Sequence, residues 1–246
     1  MAESERTVLV TGASRGIGFV TARLFAARGW RVVGCARADM PVGERGCTGW
    51  TDHVVADLAT DDGVAALVAA TARLLGDRPL HALVNNAGVS PKSSFKERLG
   101  ILNGGLAGWR AVVALNVFAP LALARGLAPA LHRGRGAIVN VTSIAAHAVH
   151  PFAGSAYSTS KTALSALTRE RAVELAPLGV RVNAVAPGEI ETEMIGPEYE
   201  PLVARIPMAR MGTSQEVAGV IYQLCDADFG YVTGSEVFVT GGQHLL

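Results

Sequence analysis

Short runs of β-branched and other apolar residues alternate along the whole chain with longer alanine- and leucine-rich stretches. The short runs predict strands at Thr7–Thr11, Arg31–Cys35, His53–Ala56, Ala82–Val84, Ala137–Val141, Arg181–Val185 and Glu236–Val239. Several are continuously apolar rather than alternating, which suits parallel strands covered on both faces. The intervening stretches predict helices over Gly16–Arg28, Asp61–Leu75, Trp109–His132, Ser155–Leu175 and Ser214–Cys225. Strand, helix and strand repeated in this way predict an α/β fold, a doubly wound parallel sheet of about seven strands flanked by helices.

Three Gly/Pro-punctuated stretches interrupt the rhythm. Ala38–Thr51 stands where a helix is expected between the second and third strands. Ser90–Gly108 is a long connection, of the kind that is functional or mobile in compact domains. Ile190–Met211, with Pro197, Pro201 and Pro207, has the make-up of a lid. No repeat, low-complexity tract or linker divides the 246 residues, so a single domain spanning residues 1–246 is expected.

Composition narrows the function classes. Half the residues are hydrophobic and 17% are charged, enough apolar material for a large core and too much for a disordered chain. With 22 basic and 21 acidic residues the net charge is +1, and no basic run could follow a phosphate backbone, so nucleic acid is not an expected partner. Cys35, Cys47 and Cys225 are too scattered for a disulfide framework or zinc ribbon and read as thiols in a reducing cytosol. Two acids precede the first apolar run, unlike the basic start of a signal peptide. Mean hydropathy is +0.31, and the best membrane candidate is Ala111 to Leu131. Asn116, Pro120, Arg125 and Pro129 within it point instead to a buried helix, with no membrane association and a cytoplasmic location.

The first predicted strand runs directly into Gly12-Ala-Ser-Arg-Gly16-Ile-Gly18 and a helix. Gly12 suits a tight turn, Gly16 a close approach to a diphosphate, and Gly18 close helix–strand packing. The helix N-terminus adds unpaired N–H groups and the positive end of its dipole. At the first strand–helix junction of a βαβ pattern, such a cluster points to a dinucleotide.

Thr11-Gly-Ala-Ser-Arg-Gly-Ile-Gly18 resembles the TGxxxGxG fingerprint of the short-chain dehydrogenase/reductase family, single-domain branch. Asn85-Asn-Ala-Gly88 follows the fourth strand like that family's NNAG motif. Ser143, Tyr157 and Lys161 match its catalytic pattern, and Pro187-Gly188 its post-strand turn. The resemblance runs from Thr7 to Gly242 and implies a Rossmann-type fold binding NAD(P). It implies cofactor contacts from Gly12, Ser14, Arg15, Gly16, Ile17, Gly18, Asn85, Ala87, Gly88, Pro187 and Gly188. To these it adds Asp57 and Leu58 at the adenine, and Ile190 (through its backbone) and Thr192 at the nicotinamide carboxamide. An acid after the second strand would grip the ribose hydroxyls of NAD, whereas Ala36-Arg37 stands there. Arg37, with Arg15, could clamp a 2′-phosphate, so NADP(H) is favoured over NAD(H); a solvated Arg37 is the alternative. Asp57 could equally cap the next helix.

Tyr157 and Lys161, four residues apart on a predicted helix, share a face. A free phenol titrates near pH 10, and an adjacent ammonium is expected to lower that value towards the working range. Ser143, ending the fifth strand, can hold a carbonyl oxygen beside the phenol. By resemblance Lys161 also binds the nicotinamide ribose, and Asn116, mid-helix, completes a relay with Ser143, Tyr157 and Lys161. Structural alternatives are a helix cap (Ser143), a packed aromatic (Tyr157), a snorkelling lysine (Lys161) and a satisfied core amide (Asn116). His147 and His150 lie in a loop without an evident carboxylate or cysteine ligand, so no metal is expected. Glu189 replaces the bulky apolar residue of many relatives and either meets a polar or cationic substrate group or faces solvent.

The leading expectation is an NADP(H)-dependent carbonyl reductase or alcohol dehydrogenase similar to the 3-oxoacyl-carrier-protein reductases, acting on a small molecule. The length of Ser90–Gly108 keeps a sugar, polyol or other small-alcohol dehydrogenase open. A dinucleotide sensor without turnover is the reading from another class. By resemblance the chain is a homo-oligomer, a tetramer or dimer, with Trp109–His132 available as an interface.

Overall fold

Seven strands form one parallel sheet in the order β3-β2-β1-β4-β5-β6-β7. They are β1 (Thr7–Thr11), β2 (Arg31–Ala36), β3 (Asp52–Val55), β4 (Ala82–Asn85), β5 (Ala137–Val141), β6 (Arg181–Pro187) and β7 (Glu236–Val239). The structure is a computed structural model that describes residues 5–38, 50–93, 97–191 and 200–246. β2 and β6 run slightly past their apolar runs because neighbours pair with the extra residues, Ala36 with Val55 and Pro187 with Val239. The Ala38–Thr51 interruption lies almost wholly outside the described residues.

The pleat explains the layering. On β1, Val8 and Val10 point to one face, where Phe25, Val217 and Ile221 of helices α1 (Gly16–Ala27) and α6 (Ser214–Cys225) cover them. Leu9 points to the other face, beneath Leu67 of α2 (Asp61–Leu75) and Leu123 and Leu127 of α4 (Ala119–Gly134). A fully buried leucine stabilises by about 1.5–3 kcal/mol, so two such cores hold both faces of the sheet. Local signals fix the helix ends: Thr60 caps α2 by accepting the Gly63 N–H, and Thr213 and Glu216 form a capping box on α6.

The expected helix Trp109–His132 is three pieces. It begins as α3 (Leu106–Val113), widens into a π-turn over Ala114–Phe118, and continues as α4 to Gly134. By length and hydropathy, 1.7 over its most apolar window, the Leu106–Gly134 stretch is apolar enough to cross a membrane, so composition alone does not exclude it. Its packing accounts for it instead: Leu123, Ala124, Leu127 and Leu131 are core residues under the sheet. Cys35 and Cys225 are buried free thiols whose pKa burial pushes up to about 12; Cys47 is outside the described residues.

The strand order reverses between β1 and β4, and the crevice outside their C-terminal ends is where doubly wound sheets bind ligands.

Candidate active site

The glycine loop leaves β1 with Gly12 at φ +66° and Gly16 at φ +55°, a region L side chains rarely adopt. A Cβ at Gly18 would stand 2.2 Å from the Gly12 carbonyl, and one at Gly12 would stand 2.8 Å from Asn86 Nδ2. Arg15 occupies the N-cap of α1 without a side-chain cap bond, and no acid lies in the first turn. The N-terminal N–H groups of α1 and this side-chain-free cradle fit a dinucleotide diphosphate. Ser14 and Arg15 are exposed at its rim, and Ile17 is half-buried.

Two residues that the sequence reading left unassigned hold the loop. Thr11 Oγ1 donates to the Val84 carbonyl at 3.2 Å and accepts the N–H groups of Asn86 and Ala87 at 3.1 Å. Asn86 Nδ2 donates to the Thr11 and Gly12 carbonyls at 3.0 and 3.1 Å. The available signal was a buried threonine ending an otherwise apolar strand. Asn85 donates instead to Asn140 Oδ1 at 2.8 Å, and Asn140 to Thr168 Oγ1 at 2.9 Å, so its side chain braces the sheet interior. Arg37 is exposed just beyond buried Ala36. Leu58 is buried and Asp57 exposed; Thr60, not Asp57, caps α2, while Asp57 Oδ1 accepts the Ala59 N–H.

Past the fourth strand, the backbone at Gly88 approaches two side chains. A Cβ there would lie 3.3 Å from both Asn116 Oδ1 and Lys161 Nζ. Asn116 is fully buried in the π-turn, a wide turn of the kind often found at functional sites. Its Oδ1 accepts the Val89 N–H at 2.9 Å, and its Nδ2 donates to the Val89 carbonyl and to Ser160 Oγ. Asn116 therefore joins α4's N-terminal side to α5 (Ser155–Leu175) through Ser160, whose hydroxyl donates to the Tyr157 carbonyl at 2.7 Å.

Ser143 follows β5 and serves two of its proposed ends together. It caps the short turn Ile144–Ala146, accepting the Ala145 N–H at 3.1 Å, and its hydroxyl is close enough to the Tyr157 phenol to influence its titration. Lys161, 3% exposed, donates to the Val141 carbonyl at 2.6 Å, with Nζ 5.7 Å from the Tyr157 ring centroid. Burial lowers the Lys161 pKa to about 8. The expected lowering of the Tyr157 pKa is not found. Burial raises it and the Glu189 charge adds to the rise, while the nearby Ser143 hydroxyl pulls the other way. The lysine is aimed at the Val141 carbonyl, and desolvation of the phenol wins.

Both loop histidines have carboxylate partners, contrary to expectation. His147 Nε2 lies 3.1 Å from Glu236 Oε2, and His150 Nε2 lies 2.5 Å from Glu189 Oε1. They are two separate pairs, and the described residues contain no group of three or more His, Cys, Asp or Glu that could hold a metal. Glu236 also accepts the Thr142 and Ser165 hydroxyls at 2.5 Å each, tying the strand end before Ser143 to α5 and β7. Glu189 is buried, so the solvent-facing reading falls.

Pro187 ends β6, and the Gly188 N–H donates to the Val239 carbonyl at 3.0 Å. Ile190 is buried and bridges to Gly212, closing the two ends of the Ile190–Met211 stretch. Thr192 lies outside the described residues, as do residues 193–199 of the expected lid; its described part carries a short helix, Glu200–Val203, and buries Ile206. The long Ser90–Gly108 connection packs on the loop before α5: Arg98 donates to the Ala153 carbonyl at 2.7 Å and the Ser155 N–H to Leu99 at 2.9 Å.

The phenol, the serine hydroxyl and the buried lysine thus meet at the C-terminal edge of the sheet, beside the glycine cradle. This set can hold an oxygen atom and exchange a proton with it. Residues 12–244 match the family model described as Enoyl-(Acyl carrier protein) reductase. Protein FixR of Bradyrhizobium diazoefficiens is 51% identical over 98% of this chain and 87% of its own length. The 2-(R)-hydroxypropyl-CoM dehydrogenase of Xanthobacter autotrophicus is 37% identical over 96% of this chain and 97% of its own. A short-chain dehydrogenase/reductase family oxidoreductase from Brucella ovis, solved with a partially ordered NAD, is 43% identical with a TM-score of 0.82. That match covers 96% of this chain and all (100%) of the solved one. Motifs, sheet order and relatives agree, and the chain belongs to the short-chain dehydrogenase/reductase family of oxidoreductases.

Proposed function

We propose that this chain is an NADP(H)-dependent oxidoreductase that interconverts a small-molecule carbonyl and its secondary alcohol, with Tyr157 as general acid and base. The observation that carries this reading is the Tyr157 phenol, beside the Ser143 hydroxyl and one helical turn from buried Lys161. A bound nicotinamide would supply or accept the hydride. Ser143 orients the substrate oxygen, and Tyr157 gives that oxygen its proton in reduction or removes it in oxidation. Lys161, with Nζ 5.7 Å from the Tyr157 ring centroid, would supply the cation beside the phenol and, by resemblance, the contact to the nicotinamide ribose; Asn116 fixes the backbone at Val89 and, through Ser160, the helix that carries them. Thr11 and Asn86 keep the diphosphate cradle in shape.

NADP(H) preference rests on Arg37 after Ala36, where an NAD-binding acid would stand, with Arg15 of the glycine loop as a second cation. Arg37→Asp is expected to weaken NADPH binding by roughly ten- to a hundred-fold and NADH by much less, the loss of a charge-assisted clamp plus repulsion. Equal losses in a fluorescence titration would place Arg37 away from the 2′-phosphate.

For the substrate, similarity to the 3-oxoacyl-carrier-protein reductases supports a 3-oxoacyl thioester. The Glu189 carboxylate near the phenol supports a second reading, a small hydroxylated alcohol such as a sugar or polyol. Reduced-cofactor consumption over thioesters, sugars, diketones and steroids separates the two. Cofactor binding with no turnover on any of them would leave the sensor reading. A cytoplasmic homo-oligomer completes the proposal; exposed Leu106 and Phe118 on the long helix are available for its interface.

A further inference from the structure

Glu189 lies on the turn after β6, with its side chain 6% exposed. The turn is pinned: the Gly212 N–H donates to the Glu189 carbonyl at 2.9 Å and the Glu191 N–H to the Gly212 carbonyl at 2.8 Å. Oε1 accepts from His150 Nε2 at 2.5 Å and from Gln243 Nε2 at 3.5 Å. The other ring nitrogen, His150 Nδ1, accepts the backbone N–H groups of Phe152 and Ala153 at 3.2 Å each. With Nδ1 accepting those two N–H groups, the ring presents Nε2–H to Glu189 and holds the carboxylate in one orientation.

Both remaining oxygens here lack donors. Glu189 Oε2 makes no hydrogen bond among the described residues and is not fully buried, while Gln243 Oε1 beside it is buried without a partner. Leaving a buried acceptor unpaired is costly, and such groups in native proteins are often completed by a ligand or water. The charge is also near enough to Tyr157 to raise the phenol's pKa.

We propose that Glu189, oriented by His150, is a substrate-specificity residue whose free Oε2 accepts a hydrogen bond from a hydroxyl or ammonium group next to the reacting carbon. Its charge turns away substrates that carry a carboxylate or phosphate at that position. The inference rests on Tyr157 acting at the reacting oxygen.

The test is Glu189→Gln, which keeps the shape and an acceptor for His150 but removes the charge. Three size-matched ketones are compared by kcat/KM with NADPH: one with an α-hydroxyl, one with a methyl there, and one with a carboxylate. The wild type is expected to favour the hydroxyketone over the other two by roughly ten-fold or more, in line with one charge-assisted hydrogen bond. In Glu189→Gln the hydroxyketone preference falls towards one and the keto acid gains. Among the described residues, the charged groups near Tyr157 are Glu189 from this turn and Lys161 from α5, with the His150 ring behind Glu189. Removing the Glu189 charge therefore also moves the phenol's limb of the pH profile down. Glu189→Asp, which retracts the carboxylate but keeps its charge, is expected to lose the preference and hold most of the pH limb, an outcome that loss of folding cannot imitate. Wild-type turnover of all three ketones alike, or a preference and pH limb unmoved in both variants, overturns the specificity role alone. Failure of the wild type to oxidise NADPH with any ketone overturns the Tyr157 reading as well.

Discussion

Tyr157→Phe is expected to lower kcat/KM by about a thousand-fold or more while leaving NADPH affinity within a few-fold. The phenyl ring preserves the packing and removes only the hydroxyl beside Ser143. General acid–base catalysis contributes roughly 10²–10⁴-fold, and no other described side chain is poised to replace the phenol. Because burial and Glu189 raise the Tyr157 pKa, the phenol stays protonated through neutral pH. Reduction, which consumes that proton, is expected to run well near neutrality, whereas oxidation, which needs the phenolate, should climb as pH rises. Loss of NADPH binding along with turnover would remove the acid–base assignment and make Tyr157 a packing residue.

Lys161→Met should move activity and stability in opposite directions. Turnover is expected to fall by roughly 10²-fold or more with the loss of the cation beside the phenol. Stability responds through linkage. The folded-state pKa of about 8 lies below the ordinary 10.5, so burial penalises the charged lysine at every pH below about 8. The penalty is relieved as pH rises from about 8 towards 10.5, where the unfolded chain binds more protons than the folded one. At about 1.4 kcal/mol per unit, the full effect is about 3 kcal/mol. The stability of the wild type relative to Lys161→Met is thus expected to rise by about 3 kcal/mol between pH 7 and 10.5, read from urea midpoints at each pH. A difference that stays flat with pH would show that Lys161 keeps its ordinary pKa in the folded protein and carries no burial penalty. The chain tolerates this cost at a position whose value lies in chemistry rather than in folding.

What could be read from the sequence was what is local. Helix α2 matches its expectation end to end because Val64, Leu67, Thr71 and Leu75 sit at helical spacing between a threonine cap and a glycine stop. The glycine loop and the Tyr157/Lys161 pair are equally local, each decided within a few residues. The π-turn at Asn116 was not legible, since it accompanies hydrogen bonds to Val89, 27 residues away. The same holds for His150 with Glu189, 39 residues apart, and for His147 with Glu236, 89 apart. Only the sheet topology brings these partners together, which is why the histidines read as lacking carboxylates. The Tyr157 pKa departs from the sequence-based expectation for a related reason. Proximity of an ammonium is visible in a four-residue spacing, but its aim at the Val141 carbonyl and the burial of the phenol are tertiary facts.

The central claim is that Tyr157, Ser143 and Lys161 serve hydride transfer between a nicotinamide and a carbonyl carbon. It is tested most directly by incubating the chain with a reducible ketone and NADPH deuterated at nicotinamide C4, then locating the label in the product by mass spectrometry and NMR. The expected result is deuterium on the carbinol carbon of the product alcohol with wild-type protein and almost none with Tyr157→Phe. Tight NADPH binding by the wild type with no label transferred to any ketone, thioester or sugar would contradict it.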